Sequence, residues 1–188
     1  NHLERINPKA EVKAFRNDVA DPCIEEVMAL SDWMILATDN HSSRSAAQRM
    51  AFKYFVPFIS AGVNISVNNG NITDMSGEVV TVRMGDRHCL NCLNRINFIK
   101  AAQENHPDPE IREKLVTKGY VTGKDIKEPA VKTLNTNLAT LAVDILINQY
   151  TGRQRTAPVV VYENNAFPVI FEDRESVKKR NLECFTCS

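Results

Sequence analysis

Apolar residues in this chain fall into short continuous runs and helix-spaced stripes, separated by turns rich in Asn, Asp, Pro and Gly. Trp33-Met34-Ile35-Leu36-Ala37 is one such run, and it breaks off at Thr38-Asp39-Asn40. A run of this kind is expected of a parallel strand buried on both faces. Ala46, Ala47, Met50, Ala51 and Tyr54 then recur at steps of three and four. They predict a helix that starts at a Ser42 or Ser43 cap and reaches about Phe55. Pro57 ends it, and Val56–Val63 reads as a second buried strand. Strand, helix and strand with short links predict a right-handed βαβ unit. Upstream, Leu3–Pro8 reads as the end of a helix and Glu11–Phe15 as a short strand. Asp21-Pro22, a cap followed by proline at the first helical position, predicts a helix over Cys23–Leu30.

Beyond Val63 the pattern changes. Ile65-Ser66-Val67 and Ile72 flank Asn68-Asn69-Gly70-Asn71, a hairpin signature in which Asn-Gly supplies the positive φ angles. Glu78–Arg83 is a further antiparallel candidate. Residues 95–128 are polar, weakly patterned and the most loop-like, with a short helix expected around Glu110–Val116. Leu134–Tyr150 predicts the strongest helix in the chain. It is apolar on most sides, which implies burial on most sides, and Gly152 suits its C-terminal cap. Val159–Tyr162 and Val169–Phe171 read as late strands around an Asn164-Asn165 turn.

Composition narrows the function classes. The 188 residues carry 23 Lys plus Arg against 23 Asp plus Glu, so the formal net charge is zero. That argues against a dedicated nucleic-acid binder. No apolar run approaches the roughly 18–20 residues of a membrane span and no signal-peptide pattern is present, so a cytoplasmic protein with no membrane partner is expected. The sequence opens Asn1-His2-Leu3 without an initiator Met, as in a processed chain or a piece of a longer one.

Four of the five cysteines form two C-x-x-C pairs, Cys89/Cys92 and Cys184/Cys187. Two residues between cysteines let both sulfurs of one turn face one metal, and two such turns supply four thiolates for a tetrahedral Zn²⁺. A redox pair, extracellular disulfides and unligated buried thiols are the competing readings. The double spacing favours zinc, in a closed and therefore structural site. Cys23 is left over, and reads as a small core residue.

Asp39-Asn40 sits at the carboxyl end of the first parallel strand, where ligands of open α/β sheets bind. A carboxylate there can hold Mg²⁺ against nucleotide phosphates, and Arg44 can pair with a negative group or brace the loop. The competing reading makes Asp39 and Asn40 plain helix caps and Arg44 a solvated side chain. A phosphate cradle is missing: Gly62, Gly70, Gly77, Gly85, Gly119, Gly123 and Gly152 form neither a G-x-G-x-x-G nor a P-loop pattern.

In order along the chain, Thr38-Asp39-Asn40-His41-Ser42-Ser43-Arg44, Val56-Pro57-Phe58-Ile59-Ser60-Ala61-Gly62, Cys89-Leu90-Asn91-Cys92-Leu93 and Asn181-Leu182-Glu183-Cys184-Phe185-Thr186-Cys187 form an ordered set. This set resembles the ThiF/MoeB adenylyltransferases, bacterial relatives of ubiquitin-activating enzymes. The resemblance implies an α/β fold: a partial Rossmann-like parallel sheet, an antiparallel extension and a zinc clamp of four cysteines. One domain portion spans 1–188, with the Rossmann-like part over 1–63 and a mixed-sheet, carrier-binding and zinc part over 64–188. The resemblance further implies ATP and Mg²⁺, with Asp39 on the metal-binding aspartate and Asn40 and Arg44 supporting it. Structural zinc falls on Cys89, Cys92, Cys184 and Cys187. The implied partner is a ubiquitin-like or sulfur-carrier protein whose C-terminal carboxylate is adenylated, in a homodimer or heterodimer.

The chain departs from the family in two ways. The glycine loop of the family's N-terminal half is absent, and residues 93–183 contain no cysteine for a thioester step. Two readings follow: the C-terminal portion of an adenylyltransferase, or an inactive zinc-stabilised scaffold that pairs with an active subunit.

Overall fold

The computed structural model describes residues 2–108, 110, 111 and 131–187. Two short helices, α1 (His2–Ile6) and α2 (Pro22–Ala29), precede the first strand. The expected βαβ unit follows. Strand β1 (Met34–Leu36) lies parallel to β2 (Phe58–Asn68), with Met34 opposite Phe58 and Leu36 opposite Ser60, and helix α3 (His41–Tyr54) joins them. The chain then turns back on itself. Strand β3 (Asn71–Val82) pairs antiparallel with β2, through Asn69 and Gly70 at φ 49° and 77°. Two successive positive φ angles make the tight turn whose twist matches the flanking strands.

Helices α4 (Phe98–Glu104) and α5 (Lys132–Thr151) come next. Strands β4 (Val159–Glu163) and β5 (Val169–Glu172) complete an antiparallel extension, and α6 (Arg174–Lys178) leads to the C-terminal cysteines. The five strands stand in the order β1-β2-β3-β4-β5.

The sheet separates two cores. On one face Met34, Leu36, Phe58, Val80, Val82 and Val159 meet α2, α3 and the cysteine-bearing turns. On the other, Ile59, Val79 and Tyr162 meet Leu134, Leu138, Ala142 and Ile145 of α5. Gly77 is needed here, because a Cβ at that position would stand 3.0 Å from a Leu138 methyl and 3.2 Å from the Gly62 carbonyl.

Several expectations are corrected. Glu11–Phe15 is not a strand. No described strand lies beside it to take up its backbone groups. The second strand and the first arm of the hairpin are one continuous β2, whose register with β3 shifts between Ser66 and Val67. Strand β1 is buried on one face only: Ile35 is 44% exposed. Helix α5 likewise buries one stripe, leaving Val143 and Ile147 46% and 49% exposed. In both cases one apolar face packs on a described layer and the opposite face has none over it. Cys23 is exposed, not a core residue. Part of the loop-like region is helical, since Asn97 caps α4 by accepting the Lys100 N–H at 3.0 Å. Past residue 111 the helix expected around Glu110–Val116 lies outside the described residues, as does most of the loop expected up to 128.

Candidate functional site

Two constellations stand out, and both hang on α3. The first is the corner where β1 leaves the sheet. Asn40, in extended conformation, caps α3: its Oδ1 accepts the Ser43 N–H at 2.8 Å and the Ser42 hydroxyl at 3.1 Å. The cap is therefore Asn40 and not Ser42 or Ser43, since a capping oxygen must accept an N–H two or three residues further on. Asp39, one residue before the cap, is exposed. It borders a cavity of about 470 Å³ with Thr38 and Arg44, beneath an apolar wall that includes Ile35, Leu138 and Val143.

Arg44 braces the loop. Its Nη2 donates to the Thr38 carbonyl at 2.9 Å and its Nη1 to the Arg95 carbonyl at 3.4 Å. Burial pushes the guanidinium pKa down, opposed by the carboxylates of Glu78, Glu104 and Asp39. Arg44 Nε and Thr38 Oγ1 are buried with no partner among the described residues. Such orphaned groups call for an explanation, and here they border the cavity that Asp39 faces. An exposed carboxylate beside a braced arginine can hold a divalent cation and orient a negatively charged ligand.

The second constellation is the cysteine cluster. One ligand sulfur from each of Cys89, Cys92, Cys184 and Cys187 lies within 4.8 Å of every other. Cys89 and Cys184 sulfurs are 3.6 Å apart and those of Cys92 and Cys187 3.8 Å. Sulfurs at the corners of a tetrahedron with metal–sulfur bonds of about 2.3 Å would stand about 3.8 Å apart, so the donor set fits one ion. None of the four is in a disulfide. Burial pushes the Cys89 thiol up and Cys187 up to about 12. Burial also acts on Cys184, but the backbone N–H groups of Thr186 and Cys187 together with the Cys89 and Cys187 thiols outweigh it and bring that thiol down to about 7.

The cluster's turns are held from several sides. The Leu90 N–H donates to Oε1 of buried Gln48 on α3 at 2.8 Å, and Asn91 Nδ2 donates to Thr186 Oγ1 at 2.9 Å across the two pairs. The Asn181 N–H donates to the Cys92 carbonyl at 3.0 Å. Among the cations near the cysteines in sequence, Arg87 and Arg180 border a cavity with Cys184 and Cys187. Lys179 borders one with Cys92, and Lys178 instead pairs with Glu175 at 2.8 Å.

A strand-end carboxylate, a cysteine tetrad and the sheet order now stand together, and the sequence profile of the ThiF family matches residues 1–186. The chain belongs to the ThiF family. Members of the ThiF family are in general adenylyltransferases, which sets the class of activity to test. No curated protein sequence matches the chain. Among solved structures, the crystal structure of SeMet PaaA is similar, with a TM-score of 0.54 and 16% identity, covering 90% of this chain and 52% of that one. This ThiF chain therefore spans about half the length of that solved chain, and at this identity the likeness is one of fold.

The fold brings Asp39, Asn40 and Arg44 to one corner and the four cysteines to one cluster. Four contributors were not read from the sequence of this ThiF chain: Gln48, His41, Arg95 and Glu104. Gln48 and Glu104 find their partners 42 and 62 residues away. No local spacing announces contacts that only the tertiary fold makes.

Proposed function

We propose that this chain is part of an ATP-dependent adenylyltransferase that activates the C-terminal carboxylate of a ubiquitin-like or sulfur-carrier protein. The family match across residues 1–186 carries the reading. In the reaction a carboxylate oxygen of the carrier attacks the α-phosphorus of ATP, and pyrophosphate leaves. Asp39 is the residue to hold Mg²⁺, which when bound would offset negative charge on the triphosphate. Asn40 fixes the helix start behind it, and Arg44 fixes the loop from Thr38 to Asn40 through the Thr38 carbonyl. The glycines of this chain form no phosphate cradle, so the remaining phosphate contacts would come from residues outside it.

The four cysteines hold Zn²⁺ in this reading. Soft thiolates at tetrahedral spacing suit zinc, and a closed set of four leaves no position for a reacting water. Four thiolates around Zn²⁺ carry a formal charge of −2, which Arg87 and Arg180 are placed to offset. The enzyme works in the cytoplasm as a homodimer or heterodimer. No described helix is long and apolar enough to cross a membrane.

A second reading is an inactive zinc-stabilised scaffold paired with an active subunit, since the glycines within these residues form no phosphate cradle of their own. The two readings are separated by incubating the natural full-length protein with ATP, Mg²⁺, labelled pyrophosphate and a panel of ubiquitin-like and sulfur-carrier proteins. The enzymatic reading expects ATP–pyrophosphate exchange that requires a carrier with a free C-terminal carboxylate and vanishes when that carboxylate is amidated. Absence of exchange with every carrier, in a protein that holds its metal and melts cooperatively, would favour the scaffold.

A further inference from the structure

The first turn of any α-helix leaves four N–H groups without helical partners. In α3, Asn40 takes the Ser43 N–H. The Ser42 N–H is taken from elsewhere: it donates to Glu104 Oε2 at 2.6 Å, from the last residue of α4. A carboxylate acceptor gives a short, charge-assisted bond, and at a helix N-terminus it also meets the positive end of the helix dipole.

Two further bonds join the same segments. The Asn97 N–H donates to His41 Nδ1 at 3.2 Å, and Arg44 Nη1 to the Arg95 carbonyl at 3.4 Å. Three residues of the first turn of α3 are thus tied to the stretch from Arg95 to Glu104. Asp39 itself is held weakly. The one side-chain contact of its carboxylate to a described hydrogen-bond donor is the Asn40 amide at 3.5 Å. Its position follows from the Thr38 carbonyl that Arg44 holds on one side and from the turn that begins α3 on the other, and Glu104 anchors that turn.

We propose that Glu104 is a positioning residue: from α4 its carboxylate holds the N-terminal turn of α3, and through that turn it sets the placement of Asn40 and Asp39. The significance for catalysis rests on the adenylation reading, whereas the positioning is tested without it. Glu104 is not expected to touch substrate. Its charge faces His41 and Arg44, so it also biases the electrostatics of the corner it holds.

The test is amide hydrogen exchange resolved at Ser42 and Ser43 in the natural full-length protein, comparing wild type, Glu104→Ala and Glu104→Gln. The Ser42 N–H donates to Glu104 and the Ser43 N–H to Asn40, so Ser43 reports whether the effect travels to the cap. In Glu104→Ala, exchange is expected to rise about tenfold at both amides while Ala47 and Ala51, deeper in α3, keep wild-type rates. Glu104→Gln, which keeps an acceptor oxygen, should stay within about threefold of wild type at both amides.

Unchanged exchange at Ser42 and Ser43 in Glu104→Ala overturns the proposal. So does a rise at Ser42 alone, since the contact would then be local. Where the wild-type protein exchanges pyrophosphate, Glu104→Ala should lower that rate about tenfold and Glu104→Gln less. A wild-type rate in Glu104→Ala, with both amides loosened, also overturns it. A wild-type protein without exchange counts against the adenylation reading, and the amide rates alone then decide on Glu104.

Discussion

At the cysteine cluster three of the four ligand residues are buried, and their turns are pinned by Gln48, Asn91 and Asn181. Just before the helix that carries Gln48, Asp39 is exposed and held at 3.5 Å by one neighbouring amide. The cluster closes its ligand set from within the chain and sits inside the first core. The corner leaves Arg44 Nε and Thr38 Oγ1 without partners among the described residues, beside an open cavity. In the proposed reading the metal that must stay is built into the core, where removal disrupts packing, and the ligand that must come and go is met at a rim, where binding costs no unfolding. Helix α3 keeps the two in fixed relation.

The largest expected effect comes from breaking the buried side of this contrast. Cys184→Ser or Cys89→Ser should lose the metal and free the C-terminal segment. Zinc binding in small Cys-rich peptides contributes roughly 10–16 kcal/mol, and a loss of even about 4 kcal/mol here would lower Tm by about 8–16 °C. Elemental analysis and calorimetry on the same sample check it. A metal-free wild type, or an unchanged melt in both variants, would remove the distinction between the two sites.

Gln48→Leu should have the next largest effect. It puts an apolar side chain of similar size on α3 but leaves the Leu90 N–H buried without an acceptor, which costs about 1–3 kcal/mol. Chelator titration should show faster metal loss than in wild type. Asn40→Ala removes the cap of α3 and should cost about 1 kcal/mol by denaturant unfolding, with Asn40→Asp close to wild type. Metal content should not change in either Asn40 variant, because the corner is outside the cluster.

The smallest effect is a pH dependence on the cluster's side. Asp173 caps α6, accepting the Ser176 hydroxyl and, at 3.0 Å, the Ser176 N–H. These bonds hold its carboxyl below the ordinary aspartate value. A depressed folded pKa contributes stability that is fully present above the unfolded value of about 3.9 and is lost as pH falls from there through the folded value. The wild type should therefore lose stability below about pH 4 more steeply than Asp173→Asn. Equal slopes would show that the cap is not formed.

What the sequence made legible follows the range of each interaction. The cysteine pairs were readable because two residues between thiols is a local constraint that metal chemistry repeats. The Asn69-Gly70 turn was readable because positive φ is a property of those residues, and the βαβ unit because its apolar periods are local. The merger of Val56–Val63 and Ile65–Val67 into one β2 was hidden, since it depends on β3 pairing without a break through Val63, Asn64 and Ile65. Helix α4 was hidden by its shortness, two turns from Phe98 to Glu104 inside a polar stretch; Asn97 starts it and Ala101, buried, seats it. Ile35 and Val143 were misjudged because an apolar pattern announces an apolar face without saying whether a layer covers it. Gln48 and Glu104 carried no signal at all, because their roles depend on distant backbone groups.

Asp39 carries the central claim, that the exposed corner does chemistry while the cysteine cluster does not. The direct measurement is carrier-dependent ATP–pyrophosphate exchange by natural full-length protein bearing Asp39→Ala, with metal content and Tm recorded on the same preparation. Exchange should fall by at least about a hundredfold, as for loss of a group that stabilises charge in the transition state, with metal content and Tm unchanged. Exchange near the wild-type rate in that folded, metal-replete variant would contradict the account.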